Sequence, residues 1–448
     1  MRHALSPHIL ILISLTLAIS ACKSTAPQTR PATPPPATAP SNTSTTSTPQ
    51  KERPPLTPAI DLASATLRAA RTAADTRATA LAKSAVVTDP FELLAIPKDQ
   101  RSSKDVVLVA VGDVSQPTKQ WVDTTMRLKT DAFAPTQHLL DSGDLVFMNL
   151  ENPISELDPT AKKTYAFTSH PERLGWYFDV GFNLFSLANN HIADADQPGI
   201  DDTIAHLERY SSERDTPAWW AGAGSSVEEA EQATIFTPPG KDLRIAFFST
   251  GFSKGENVSK FWSESLTERI KKIDSEVDLV IVSVHAGKEY IHIPEQDLTT
   301  RYKAWVDAGA DLVIGHHPHV IRPVEIYNER PIFYSLGNYV FASRTVRHRK
   351  MKAKMYGLMP RIVIQDGKVT AVEITPTWVN NSDGWKLPTG ESIPNSNFVP
   401  QVLEGAFADA FFEDFNAWTE EANATFPERH KDVGRYLMSP PAVALNDR

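Results

Sequence analysis

Five short apolar runs, rich in Val, Ile, Leu and Phe, each stop at polar residues of the kinds that bind metal ions. Residues 106–111 end in Gly112-Asp113, residues 145–148 in Asn149-Leu150-Glu151-Asn152-Pro153, and residues 182–187 in Ala188-Asn189-Asn190-His191. Residues 279–284 end in His285-Ala286-Gly287, and residues 312–314 reach Gly315-His316-His317-Pro318-His319. Runs of this length and composition are buried strands. Stretches 199–210, 226–233 and 296–308 between them read as helices. Buried strands alternating with helices predict an α/β fold with its sheet covered on both faces. In such folds ligands gather outside the carboxyl ends of the strands. One Asp after a strand is ordinarily a turn residue, and one Asn-His pair a cap or loop. Five such coincidences in one chain point instead to a site assembled from strand ends.

The histidine run is the densest contribution. Imidazole is a good nitrogen ligand for zinc, manganese or iron, and Pro318 predicts extended backbone that holds His317 and His319 apart. Cys22 is the only cysteine, which excludes an internal disulfide and a cysteine metal cluster. After the predicted strand 331–334, Ser335-Leu336-Gly337-Asn338 offers hydroxyl and amide donors to a substrate oxyanion. A glycine-enabled turn closing the sheet is an equal reading. Asp366-Gly367, between runs 361–364 and 369–374, reads as a hairpin turn. Trp219 and Trp220 read as core or rim packing. Phe407, Phe411, Phe412, Phe415 and Trp418 recur at helical spacing within 398–437, which predicts a helix that packs back on the domain or else meets a partner.

The N-terminus carries a basic start, the apolar run 9–19 and small residues before Cys22, the pattern of an export signal over 1–22. Ile19-Ser20-Ala21-Cys22 resembles a bacterial lipobox, which implies lipidation of Cys22. Lys23 in the next position fits outer-membrane sorting, so the expected location is the bacterial cell envelope, facing the periplasm or the surface. Residues 23–60 are dominated by Pro, Thr, Ser and Ala and predict a disordered tether. Residues 61–101 form a helical segment in this reading, with Asp61 as the cap of a helix over 61–85. A domain over 102–385 and a C-terminal helical appendage over 386–448 complete the expected organisation. The formal net charge of -9 argues against general nucleic-acid binding. Arg344, Arg347, His348, Arg349, Lys350, Lys352 and Lys354 run against that sign, as a solvated loop or a polyanion contact.

In order, Gly-Asp, an acidic residue, Asn-His, His and His-x-His resemble the calcineurin-like metallophosphoesterases, and more closely the CapA-type proteins of capsule and poly-γ-glutamate synthesis. The resemblance covers roughly residues 104–380 and rests on Asn149 to Pro153, Leu187 to His191 with Asp194, His285 to Tyr290, His316 to Val320 and Tyr334 to Tyr339. It implies a layered αββα sandwich with metal ions at the strand ends. One ion would take Glu151 as bridging carboxylate with Asn190, His285 and His317. A second would take Asp113, Glu151 and His319, but the family's Asp-x-His reads Asp113-Val114-Ser115 here, so a ligand is missing. The expectation is therefore a divalent metal (Mn, Zn or Fe) with one firm site and a weaker second one. His191 stands where those enzymes keep a proton donor, or else fixes its loop by hydrogen bonding. Glu289 would position a water or a substrate amine, or form a surface ion pair. Ser335 and Asn338 would contact substrate. The partners implied are an anionic envelope polymer, the membrane through the lipid anchor, and a polymer synthase or export complex.

Overall fold

Strand β1 (Asp105–Ser115) is buried along almost its whole length. Val106, Leu108 and Ala110 enter one apolar cluster, while Val107, Val109 and Val111 enter another. Successive side chains of a strand leave on opposite faces, so a strand buried on both must lie between two layers. The computed structural model describes residues 89–118, 129–215, 217–341, 347–351, 353–380, 384–394, 398–425 and 434–438. The expected export signal, Cys22, the tether and the helix over 61–85 lie outside the described residues, as does Arg344.

The larger sheet runs β16 (Gln401–Val402), β13 (Lys368–Trp378), β12 (Tyr356–Gln365), β1, β2 (Leu145–Leu150), β3 (Leu184–Ser186) and β4 (Trp219–Ala221). Strand β11 (Asn338–Phe341) also pairs with β1, and β17 (Gly434–Leu437) with β13. The second sheet runs β5 (Thr234–Phe236), β6 (Ile245–Gly251), β7 (Leu279–His285), β8 (Leu312–His316), β10 (Arg330–Phe333) and β9 (Val324–Tyr327). A small ladder joins β14 (Trp385–Lys386) to β15 (Ser392–Ile393). Pairing is parallel from β1 through β4 and from β6 through β8 to β10.

The inward faces of the two sheets share one core, which holds Leu108, Phe147, Phe247, Ile281 and Ile314. Outside the larger sheet lie helices α1 (Glu172–Asp179) and α2 (Asp196–Glu213), through Leu174, Phe178, Ile200 and Leu207. Helices α3 (Ser265–Ile273) and α4 (Gln296–Asp307) cover the second sheet through Ile270, Leu298, Trp305 and Val306. Leu298, Tyr302, Trp305 and Val306 recur at the spacing of one helix face, which is why α4 docks rather than standing free. The layers read helix, sheet, sheet, helix, the αββα sandwich expected from the sequence.

Two details differ from the sequence reading. The helix expected over 226–233 is a single turn, Val227–Ala230, capped by Ser226 Oγ accepting the Glu229 amide at 3.2 Å. The chain then enters the edge strand β5. Strands β4 and β6 carry no metal-type residue at their ends, so nothing in the motif pattern marked them. The Asp366-Gly367 turn joins β12 to β13 with both φ angles positive (48° and 75°), the two-residue turn that suits hairpin twist.

The stretch after residue 386 contributes β16 and β17 to the larger sheet and places helix α5 (Gly405–Glu421) against the intersheet core. Phe411, Phe412 and Phe415 are buried there, so this helix packs back on the domain. Trp219 stacks on Phe236 at 4.2 Å, a packing role as expected.

Candidate metal centre

Parallel pairing brings the carboxyl ends of β1, β2, β3, β7 and β8 to one edge of the sandwich. Asp113 is in register with Asn149 on one side and Asn338 on the other, and His285 with His316. A register irregularity between Ala110 and Asp113 precedes the first carboxylate, and such a bulge re-aims the side chain that follows it. The strand ends approach so closely that only glycine fits at two points. A Cβ on Gly112 would lie 1.9 Å from Gly337 O, and one on Gly251 2.3 Å from Ala188 O. Beneath the edge the hydroxyls of Ser249, Ser186 and Ser283 link the two sheets at 2.8 Å each.

His285 Nε2 lies 3.0 Å from Asn190 Oδ1, 3.0 Å from His317 Nδ1 and 3.7 Å from Glu151 Oε1. Donor atoms that share one ion at roughly 2.0–2.2 Å stand about 3 to 3.5 Å from one another. Glu151 is 0% exposed, and neither carboxylate oxygen has a hydrogen-bond partner among the described residues. A buried carboxylate without a partner is costly unless a cation completes it. The donor set therefore fits a divalent metal, and it is the set that the family resemblance implies for the firm site.

On the other side of Glu151, Asp113 Oδ2 is 3.4 Å from His319 Nδ1, and His319 Nε2 is 3.9 Å from Glu151 Oε1. Asp113, Glu151 and His285 each bring a ligand atom within 4.8 Å of the others. Ser115, at the position of the missing histidine, bonds Asn152 Oδ1 at 2.8 Å. Asn338 Oδ1 accepts from His319 Nδ1 at 2.9 Å, which leaves Nε2 turned to Glu151. Asn338 is thus a support for His319.

The backbone at the histidine run departs from expectation. His317 and His319 adopt φ of 94° and 58°, left-handed rather than extended, and this swings both rings to the site edge. Such conformations cost on the order of 1–3 kcal/mol each and persist where surrounding structure imposes them. His316 remains on β8, buried beside Phe147 at 5.4 Å, with Nδ1 3.4 Å from Asp113 Oδ1. It is not among the donors assigned to either metal position.

Electrostatics separate the groups. Burial, then the Asp113 charge, pushes Glu151 well above the usual carboxylate range. Asp113 is well below it, because His316, His319 and His285 outweigh the cost of its burial. Burial, then His317, holds His285 well below an ordinary histidine, and burial with His319 lowers His317 to about 3. Both rings are neutral at pH 7, the state that can ligate a metal. His319 is raised, Asp113 outweighing burial.

His191 lies beside the centre with Nδ1 2.8 Å from Asp194 Oδ2 and Nε2 4.0 Å from Glu151 Oε1. Its ring stacks on Phe167 at 4.8 Å, and Asn189 Oδ1 accepts the backbone N–H groups of His191 and Ile192. Lys163 Nζ reaches Asp194 Oδ1 at 2.6 Å, Asn190 O at 2.7 Å and His191 Nδ1 at 3.1 Å. No motif singled out Lys163, which arrives from the polar loop between β2 and α1. Burial lowers the His191 pKa, and the Asp194 hydrogen bond only partly offsets this.

Two expected site residues are engaged elsewhere. Ser335 Oγ donates to Val320 O at 2.8 Å and accepts from Gly337 N, so its hydroxyl is engaged within the turn rather than offered as a donor. Glu289 Oε2 is held by Arg347 Nη1 at 2.6 Å, the surface ion pair that the sequence equally allows in place of catalysis.

A two-sheet sandwich flanked by helices, with carboxylate, asparagine and histidine donors gathered at one sheet edge, defines an αββα protein with a candidate metal centre. Residues 107–343 match the family described as bacterial capsule synthesis protein PGA_cap, and the chain belongs to that family. It is 27% identical over 324 residues to the capsule biosynthesis protein CapA of Bacillus anthracis, covering 69% of this chain and 75% of that one. An uncharacterized protein, y4sH, of Sinorhizobium fredii is 44% identical over 389 residues, covering 68% of this chain and 79% of its own. Among solved structures, a novel phosphatase of Mycoplasma pneumoniae aligns with a TM-score of 0.35 and 12% identity, covering 61% of this chain and 86% of that chain.

Proposed function

We propose that this chain is an envelope protein of capsule or poly-γ-glutamate-type polymer synthesis whose strand-end centre is a metal-dependent hydrolytic site. The observation that carries the reading is Glu151, fully buried, with neither carboxylate oxygen hydrogen-bonded among the described residues and Oε1 3.7 Å from His285 Nε2, which itself lies 3.0 Å from both Asn190 and His317. When bound, a divalent ion there lowers the pKa of a water and polarises the bond to be cleaved. Glu151, Asn190, His285 and His317 would hold it, and Asp113 with His319 would hold a second, weaker one. His191 presents Nε2 to the same space with Nδ1 fixed by Asp194, the arrangement of a proton donor to a leaving group. Burial lowers its pKa, which the Asp194 hydrogen bond offsets only in part, so an anionic group beside Nε2 would favour the protonated, proton-donating form. Lipidation at Cys22, the envelope location and an anionic polymer as partner belong to the same proposal, with a synthase or export complex as the assembly it would join.

A second reading, a polymer-binding or export accessory protein without turnover, is favoured by Ser115. Its hydroxyl bonds Asn152 rather than supplying the missing ligand.

The test is to measure metal content and turnover of a phosphodiester, a phosphomonoester and a γ-glutamyl substrate with wild type, His191→Ala and His317→Ala. Metal-dependent turnover that falls in both variants supports the hydrolytic site. Bound metal without turnover on any of the three leaves the accessory reading standing, and no binding of Mn, Zn or Fe removes the centre altogether.

A further inference from the structure

Beside the centre, sharing only Asn190 with the ligand set, a cavity of about 400 Å³ opens between Asn190 and the loop that follows β6. Phe252 begins that loop, and its ring lies 5.6 Å from His317, so the cavity wall packs against the centre. Trp262 is 55% exposed, stacks on Phe252 at 6.4 Å, and is backed by the Arg301 guanidinium at 5.1 Å. An exposed tryptophan held in place on an open wall presents a flat apolar surface at little cost in side-chain entropy.

The charged lining is mostly cationic, Lys163, Lys254 and Lys260 with one carboxylate, Asp194. That carboxylate is already paired with Lys163 and His191. Lys260 Nζ donates to the carbonyls of Ser253 and Gly255, which fixes its charge on the loop. Lys254 is exposed and makes no ion pair among the described residues. The cavity therefore joins an aromatic wall to a net positive charge, one cation of which is free to reach outward.

We propose that this cavity is a substrate subsite for a flexible chain that carries carboxylates separated by methylene groups. Trp262 and Phe252 would cover the methylenes, Lys254 would meet a carboxylate, and the next linkage would lie toward Asn190 and His317. A neutral glycan leaves the lysines unanswered, and a polyphosphate offers nothing to the aromatic wall. The assignment of substrate class rests on the polymer-synthesis reading above, but the subsite itself does not require a metal.

The experiment uses full-length protein stripped of metal by chelation and measures binding of a γ-linked glutamate oligomer by calorimetry. The same oligomer with its carboxylates amidated, and inorganic polyphosphate, are the comparison probes. Trp262→Ala is expected to weaken oligomer binding at least about tenfold. Lys254→Glu is expected to weaken it about fivefold at low salt and less at high salt. Both side chains are exposed, and circular dichroism of each variant checks the fold. Unchanged affinity in both variants overturns the subsite, as does equal binding of the amidated oligomer or tighter binding of polyphosphate. Because the measurement is made without metal, a protein that never binds metal still gives a readable result, and failure of the hydrolytic reading stays distinct from failure of this one.

Discussion

Asn338 Oδ1 accepts the Nδ1 proton of His319 at 2.9 Å, and Asn338 is itself in register with Asp113 across the β1–β11 pair. One side chain thus fixes the tautomer and direction of a histidine whose other nitrogen faces Glu151. Partners of this kind orient a ligand and raise its basicity.

Asn338→Leu is accordingly expected to lower metal affinity about 10–100-fold while the fold persists. Calorimetric titration of the chelator-treated variant with manganese or zinc gives the comparison. An unchanged affinity would show that His319 needs no such support, or ligates nothing.

Glu151 links the centre to stability. A ligand that binds only the native state raises apparent stability by mass action, so divalent metal is expected to raise the melting temperature of the wild type. In Glu151→Gln that rise should be mostly lost, since the bridging charge is gone. Thermal denaturation with and without metal reads the effect, and an equal rise in both proteins contradicts the placement of Glu151 at the centre.

For His191 the sign follows from burial. Its pKa lies below the usual 6.5, so as a general acid it loses its proton as pH rises, and kcat/KM should fall on the alkaline side of that lowered value. His191→Ala is expected to cost about 10²–10⁴-fold in rate and to remove this limb. A pH–rate profile of both proteins on whichever substrate is turned over decides it, and a limb that survives in the variant belongs to another group.

His292 offers a pH effect remote from the centre. Nδ1 donates to Ile321 O at 2.9 Å, Nε2 accepts the Lys354 amide at 3.3 Å, and the ring stacks on Trp418 of α5 at 3.7 Å. Burial is the main cause that lowers its pKa to about 4. Between that value and 6.5 the unfolded chain binds a proton that the native ring refuses. The stability contribution is therefore whole above pH 6.5 and is lost as pH falls toward 4. From pH 7 to pH 5 the loss is on the order of 1–2 kcal/mol. Urea denaturation of wild type and His292→Phe at the two pH values should show a smaller drop for the variant.

Helix α5 is a core element. Phe411 is fully buried and contacts Tyr356, Phe412 and Phe415 at ring separations of 5.1, 5.0 and 5.8 Å. Phe411→Ala is expected to destabilise the protein by about 3–5 kcal/mol. Denaturant melts would show this, and a loss under 1 kcal/mol would mean that the helix docks loosely.

Strand interiors and the donors at their ends were legible because both are local. The continuous apolar run 106–111 marks a strand buried on both faces, and Asp113, Glu151, Asn190, His285, His317 and His319 each follow such a run. The alternation with helices gave only an α/β fold covered on both faces, and the two-sheet αββα layering came from the family resemblance. Strands β4 and β6 were not legible, since their ends bear no chemical signature, and neither was the one-turn helix near Ser226.

The sequence by itself determined which side chains are available to the centre and that they stand at strand ends. Only the tertiary structure decided which are free to act. Ser335 spends its hydroxyl on Val320 and Gly337, Glu289 is claimed by Arg347, and Lys163 reaches His191 from a loop no motif marks. Apart from Gly337, two residues from Ser335, the partners are distant along the chain: 15 residues for Ser335 and Val320, 28 for Lys163 and His191, and 58 for Glu289 and Arg347. A hydrogen bond or ion pair is settled by which groups meet in space once two sheets close on one another, and a local pattern carries no record of that meeting.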